Sequence, residues 1–348
     1  MKGNNKPQKK SAAWQIVLAL LVVVGLLLSG CGGAPKPKVY RVGILSGLER
    51  SNIIGDTFIQ EMASLGYAEG KDIVYDYQKT NFEPDKEEQI LKKFVSDKVD
   101  LIFAFNTEAA LEAKKAVDGT DIPVLFAMGI IEGNDLVDSA RQPGGNITGV
   151  RYPGVEFALK RLEVLHEMVP QAKIIWMPYQ KDYPGATYEL EALRPVAASL
   201  NITLIEFPAK DLDSLRAELE RRSKSGDIGF DAVLYIPEAL STKREAFDII
   251  AEFTRESKIP VGGTVVPPLD NTPTALKSYG TLFGVTVDWP EQGKLAASLA
   301  DKILRGTPAG TIPLVSPEPY LVIDYKVAQE LGLAVPEGLL SQAAEIIR

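Results

Sequence analysis

Val99-Asp100-Leu101-Ile102-Phe103, then a helical stretch, then Ile122-Pro123-Val124, is answered further along by Phe230-Asp231-Ala232-Val233-Leu234, a helix, and Ile259-Pro260-Val261. Each half is an apolar run of strand length, a longer segment of helical period, and a second strand opened by proline. Strand and helix alternating in this way mark a parallel sheet with helices on both faces. Aspartate before a buried strand and proline opening one are common, so one such pair can also arise by chance.

Outward from the first half, strands are expected at Arg41–Leu45, Asp72–Tyr77, Asp100–Phe105, Pro123–Ala127 and Asn146–Val150. Helices are expected between them at Gly55–Leu65, Pro84–Asp97 and Thr107–Val117. Pro84 in a first turn with Asp85, Glu87 and Glu88 suits the positive end of a helix dipole. Around the second half the order continues with helix Val155–Met168, strand Lys173–Pro178, helix Tyr188–Leu200 and strand Ile202–Phe207. Helix Leu212–Ser223, strand Ala232–Ile236, helix Thr242–Ser257 and strand Pro260–Gly262 complete the second round.

The remaining pieces, strand Leu282–Val287, helix Pro290–Leu304, strand Tyr320–Ile323 and two short helices, are too few to bury a core alone. They are expected to return to the two lobes, so that the chain crosses between lobes near Val150, Ser278 and Thr311. The fold class is therefore α/β, two Rossmann-like lobes with parallel sheets flanked by helices and three crossovers at a hinge. The expected boundaries are 39–150 with 279–310 for lobe 1 and 151–278 with 311–348 for lobe 2.

The amino terminus reads differently. Lys2, Lys6, Lys9 and Lys10 precede the apolar run Ile16–Leu28, and Leu28-Ser29-Gly30-Cys31 follows. Basic, apolar and small-residue regions in that order form a signal peptide. Thirteen apolar residues fall short of the roughly 20 that span a bilayer, although Ala12–Gly33 as a retained anchor helix stays open. The sequence resembles a bacterial lipobox with Cys31, the single cysteine, as the lipidated residue. That resemblance implies a signal peptide over 1–30, an acylated cysteine and linker over 31–38, and a protein held extracytoplasmically by two or three chains in the bacterial cell membrane or on its periplasmic face.

Charge narrows the partners. The chain has 38 basic and 46 acidic side chains, and loss of four lysines and no acid on cleavage takes the balance from −8 to −12. An acidic body of roughly 310 residues argues against nucleic acid and anionic lipid as partners, and exceeds one comfortable core.

A succession of segments resembles the ABC transporter substrate-binding proteins of the tryptophan- and tyrosine-receptor branch, with the type I periplasmic-binding-protein fold. They include Val42-Gly43-Ile44-Leu45, Leu65-Gly66-Tyr67-Ala68-Glu69-Gly70-Lys71, Pro143-Gly144-Gly145-Asn146-Ile147-Thr148-Gly149-Val150, Ser278-Tyr279-Gly280, Lys302-Ile303-Leu304-Arg305-Gly306 and Ala328-Gln329-Glu330-Leu331-Gly332-Leu333. The resemblance implies a monomer that closes on a small-molecule ligand, an amino acid or related compound, and presents it to an ABC permease. Relatives carry Asp-Pro after the fourth strand, where this chain has Gly129-Ile130-Ile131-Glu132-Gly133. They also carry an acid- and serine-rich stretch where this chain has Gly262-Gly263-Thr264-Val265-Val266-Pro267-Pro268.

Ligands of open parallel sheets bind beyond the carboxyl ends of the strands. That rule selects Ser46 and Gly47, Asn106 and Thr107, Met128 and Gly129, Tyr179 and Tyr183, Glu238, and Thr264. Asn106-Thr107 follows an apolar strand and opens a helix, where donors can grip a carboxylate; the resemblance places a threonine contact at that turn, and a plain N-cap is the other reading. Glu238 suits a ligand amine or is a solvated loop acid, and the tyrosines stack on a flat ligand or are loop residues. No metal or cofactor is expected, and no enzyme: His166 stands alone, Cys31 is spent on lipid, and no carboxylates are paired. The same ligand-closing body could instead signal to a membrane receptor as a sensing lipoprotein.

Overall fold

The computed structural model describes residues 38–48, 51–81, 83–238, 240, 243–264 and 280–348. Cys31, the expected signal peptide and the expected crossing near Ser278 lie outside the described residues.

Five parallel strands form the first sheet: β1 (Tyr40–Ser46), β2 (Ile73–Lys79), β3 (Leu101–Phe105), β4 (Val124–Gly129) and β5 (Ile147–Arg151). Their spatial order is β2-β1-β3-β4-β5. Helices α1 (Asn52–Ser64), α2 (Pro84–Ser96) and α3 (Thr107–Ala116) join the first four. β3 shows why its sequence is unbroken in apolar residues. Leu101, Phe103 and Phe105 pack in one buried cluster with Phe58 of α1, whereas Ile102 and Ala104 pack in another with Phe94 of α2 and Ala109 of α3. Both faces are covered, so alternation with polar residues disappears. Phe94 lies across Gly43 of β1 so closely that a methyl group there would stand 2.6 Å from the ring.

The second sheet has seven strands in the order β12-β11-β10-β9-β8-β6-β7. These are β6 (Ile174–Gln180), β7 (Thr203–Ala209), β8 (Ala232–Leu234), β9 (Val261–Gly263), β10 (Phe283–Thr286), β11 (Tyr320–Asp324) and β12 (Glu345–Ile347). Every pairing is parallel except β10 with β11. Its helices are α4 (Gly154–Met168), which follows β5, α5 (Pro184–Ser199), α6 (Leu212–Ser225) and α7 (Arg244–Glu256). α6 is fixed by a capping box: the Ser214 N–H donates to Asp211 Oδ1 at 2.8 Å and the Asp211 N–H donates to Ser214 Oγ at 3.0 Å. The type I periplasmic-binding architecture expected from the sequence is the one observed.

Two lobe boundaries differ from expectation. β10, expected with 279–310 in lobe 1, pairs with β9 and β11 of the second sheet. A four-residue strand that is buried throughout carries no mark of which sheet covers it. The chain therefore leaves the second sheet after β10, through Val287-Asp288, into α8 (Trp289–Leu304), which packs along α1 and against β4 and β5. The return was expected near Thr311, but Ile312–Val315 still runs beside β5. The Thr148 hydroxyl donates to the Ile312 carbonyl at 2.7 Å, and the Arg151 N–H donates to the Val315 carbonyl at 2.9 Å. The crossing lies instead between Ser316 and β11. The chain ends in α9 (Tyr325–Leu331), α10 (Glu337–Gln342) and the unanticipated edge strand β12.

Gly293 is where α8 meets α1: an added methyl group would collide with the Ile54 carbonyl and stand 2.8 Å from the Phe58 nitrogen. Gly293→Ala gains about 1 kcal/mol in helix propensity but forces two backbones apart at a cost of about 1–3 kcal/mol. A net loss of stability is expected in urea unfolding, and a midpoint raised above the parent's would contradict the contact.

Candidate functional site

The carboxyl ends of the first sheet's strands are tied to one another. Ser46, at the end of β1, is buried, with its hydroxyl 3.1 Å from the Leu48 carbonyl and 2.9 Å from Asn52 Oδ1. The Gly47 N–H donates to the Phe105 carbonyl at 2.8 Å. Asn106 caps α3 from an extended conformation, and its Oδ1 accepts the Ser51 hydroxyl at 3.1 Å. Oδ1 is thus engaged, leaving Nδ2 as the donor on this rim. Thr107 Oγ1 accepts the Ile130 N–H at 3.1 Å, fixing the loop after β4 to the start of α3. Its hydroxyl hydrogen can still point outward, beside the N–H groups that a first helical turn leaves without intrahelical partners. Met128 has a φ of 56° at a register shift between Ala127 and Gly129, so the strand bulges where it reaches the rim. Gly129 is buried under Phe126 and Leu136, and its carbonyl accepts the Tyr152 N–H at 2.8 Å.

On the second sheet Glu238 is buried, 4% exposed, and is a brace rather than a solvated loop acid. Its Oε1 accepts the Gln180 N–H at 3.1 Å and its Oε2 the Leu240 N–H at 2.5 Å. The end of β6 is thereby held to the loop after β8. Thr264, just beyond β9, is buried as well, after a Gly263 whose φ of 144° lets the chain pass against Tyr235.

The two expected tyrosines differ in their surroundings. Tyr179, near the end of β6, lines a small hollow with Tyr235, Glu238 and Leu240, and burial first, then Glu206, raise its phenol against the opposing pull of Arg194. Tyr183 is the N-cap residue of α5. Burial first, and then the carboxylates Glu108, Glu189 and Glu238, push its phenol well above the ordinary value. Glu108 belongs to the first turn of α3 in the first lobe. The first-lobe loop also touches α5: a methyl on Gly133 would collide with the Tyr188 ring, and one on Gly185 would stand 3.7 Å from Ile130 Cδ1.

Beneath this seam lie charged residues that the sequence reading missed. Arg151, at the end of β5, pairs with Glu132 at 3.2 Å and with Glu156, and its Nε donates to Ser316 Oγ at 2.8 Å. Arg161, on the buried face of α4, has no exposed surface. Its Nε and Nη2 donate to the Val285 carbonyl at 3.1 and 3.0 Å, and Nη2 donates to the Tyr152 hydroxyl at 2.6 Å. Nη1 stands 3.6 Å from Oε2 of Glu189, which is buried on α5. Burial raises the Glu189 carboxyl to about 8; Arg161 opposes the shift, and Glu132 and Glu238 add to it. The signal in the sequence is an interrupted stripe. Arg161 sits among Phe157, Ala158, Leu162 and Leu165, and Glu189 among Ala186, Leu190 and Leu193, each a charge where helical spacing places the core. Among the described residues no group of three His, Cys, Asp or Glu side chains could hold a metal ion.

Glu238→Ala removes the acceptor of two backbone N–H groups, each worth about 1.5–3 kcal/mol to a charged partner. A loss of about 2–3 kcal/mol is expected in thermal or urea unfolding, so the variant reports on loop order before it reports on any ligand. Unchanged stability would show that the brace is dispensable.

Comparison with known proteins gives the family and the fold. Residues 44–347 match the family model described as ABC transporter substrate binding protein. A tyrosine-binding protein of Clostridioides difficile (strain R20291) is 28% identical over 262 residues, 74% of this chain and 70% of that protein. Among solved structures, an ABC domain from Streptococcus pneumonia in complex with L-Trp superposes with a TM-score of 0.71 at 22% identity, covering 89% of this chain and 100% of that one. The ligand-free, open structure of a substrate binding protein with adhesive properties from Clostridium difficile gives 0.67 at 19%, covering 88% and 99%. A solute binding protein from Bacillus halodurans C-125 with bound myo-inositol gives 0.60 at 16%, covering 86% and 99%. These are binding proteins, not enzymes. With the family model spanning nearly the whole two-lobed body, the chain belongs to the ABC transporter substrate binding protein family.

Proposed function

We propose that this protein captures a small solute between its two lobes outside the cytoplasm and delivers it to an ABC permease for import, anchored by lipid on Cys31. The observation that carries the reading is Tyr183, on the second lobe, whose ring lies beside Gly185 where the first-lobe residue Ile130 also comes up: a methyl on Gly185 would stand 2.9 Å from the ring and 3.7 Å from Ile130 Cδ1. A ligand seated there meets an aromatic ring, acidic groups that suit an amine, and the donors at the start of α3 that suit a carboxylate. An amino acid or related compound offers all three, and the tyrosine- and tryptophan-binding relatives support that class. Ser46, Gly47, Asn106, Met128, Gly129 and Thr264 shape the walls. Thr107 and Tyr183 contact the ligand, while Glu238 holds the loop that presents it. Closure of the lobes turns occupancy into a shape that the permease reads.

Mass spectrometry of small molecules released from the purified protein identifies the cargo, and calorimetry with L-tyrosine and L-tryptophan tests the class directly. Thr107→Ala and Tyr183→Ala are each expected to weaken binding about tenfold or more while the protein stays folded, the loss of about one hydrogen bond to a charged group or one ring contact. Affinity unchanged in both overturns the site, and a body that releases and binds no small molecule overturns capture itself. In cells, Cys31→Ser is expected to abolish incorporation of labelled palmitate and free the protein from the membrane fraction. Persistent labelling would place the lipid elsewhere.

A further inference from the structure

The loop that follows β4 is bound to its own lobe at both ends. The Ile130 N–H donates to Thr107 Oγ1 at 3.1 Å, at the first residue of α3. Asn134 closes the turn on itself: its Nδ2 donates to the Ile130 carbonyl at 2.8 Å, and its Oδ1 accepts the Leu136 N–H at 3.0 Å. Between these ends Glu132 pairs with Arg151 at 3.2 Å. Tied in this way, the loop moves with the first lobe as one piece.

Two residues of the loop meet α5 of the second lobe. Ile130 is 9% exposed, and its Cδ1 lies 3.7 Å from where a methyl on Gly185 would stand. Gly133 lies under the Tyr188 ring, where an added methyl would collide with it. Its φ of 77° calls for glycine in the turn, and the missing side chain leaves the backbone open to the ring. The opposite side is shaped for the same approach. Gly185 and Ala186, in the first turn of α5, are small and buried, so the helix can come up to Ile130. Tyr188 is 42% exposed, so its ring takes little from the core of its own lobe while it covers Gly133 of the other.

The two sheets share no strand pairing. The lobes are therefore joined by their crossings and by side-chain contacts such as these, which attract in proportion to the apolar area they remove from water. We propose that Ile130 and Tyr188 are positioning residues that latch the loop after β4 onto the first turn of α5. The latch holds the lobes at a set separation before a solute arrives and slows its escape afterwards. A site already near its working shape needs less rearrangement on binding, which raises its apparent affinity. Thr107 links the two events, because the oxygen that holds the Ile130 N–H belongs to a hydroxyl on the first lobe's rim. This rests on the reading of the protein as a two-lobed capture device, and names what fixes the separation of its lobes.

Distances between spin labels test the latch with no ligand present. Lys115 of α3 and Arg216 of α6 are exposed, one on each lobe. Cysteines at both, in the full-length protein with Cys31→Ser so that no third label enters, report the lobe separation by pulsed electron resonance. Ile130→Ala and Tyr188→Ala are each expected to lengthen and broaden the distance distribution. Ile130→Val, which keeps a branched apolar side chain, is expected to retain the parent's. Tyr188→Ala keeps the test valid should Ile130→Ala fail to fold, since that ring is largely outside its lobe's core. A distribution unchanged in Tyr188→Ala, a folded Ile130→Ala that matches the parent, or a shift to shorter distances in either overturns the inference. With L-tyrosine or L-tryptophan as probe, dissociation is expected to be about threefold faster or more in both alanine variants, with association little changed. Unchanged dissociation of a probe that binds removes the latch from capture. A parent that binds no small molecule overturns capture itself and leaves the spin-label result standing, so the two failures are distinct.

Discussion

A parallel strand covered on both faces has nowhere to present chemistry except at its ends. β3 is the plainest case: all five of its side chains are buried, and the first polar groups the chain can offer are Asn106 and Thr107, one step past the sheet. The same constraint governs β8, where Glu238 is the first acid after the apolar run. Because both sheets obey it, the first polar residues that each lobe can offer stand where its strands end. The crossings between lobes carry backbone groups that need partners. Arg161 and Arg151 supply them.

How far the sequence revealed this depended on how each feature is encoded. β3 and β8 announce themselves because an apolar run bounded by aspartate and a helix has few other readings. Asn106, Thr107, Tyr183 and Glu238 were found at strand ends by rule alone. Their actual work was not legible, since it depends on which backbone N–H points where. Glu238 read as either a ligand acid or a solvated loop acid, and the structure gives it the work of a brace, because the Gln180 and Leu240 N–H groups converge on it. β10 went to the wrong lobe since Phe283–Thr286 is equally apolar for either sheet, and β12 is three residues of mixed character whose pairing is decided by β11.

Arg161 and Glu189 escaped for the opposite reason. Charges within apolar stripes were visible, but the two stripes lie on different helices, and nothing in one dimension brings α4 and α5 together. A buried ion pair of this kind is a poor source of stability, because desolvation offsets the attraction. Its geometry at the crossings gives it a different use, fixing where strands turn. Cargo is not set by the fold, which proteins holding L-Trp and myo-inositol share.

The packing of α8 on α1 has a consequence for the order in which the molecule comes into being. β1 to β5 are complete once Arg151 has been made, yet the face of α1 that α8 covers stays bare until Leu304 follows. The second sheet likewise waits for β11 and β12 at the very end of the chain. Neither lobe closes its core from contiguous residues, so contacts of high sequence separation complete both, and such contacts form slowly. A nascent chain of this design keeps unfinished apolar surface until β11 and β12 have followed the rest. That delay makes the unfinished chain dependent on whatever shields that surface in the meantime.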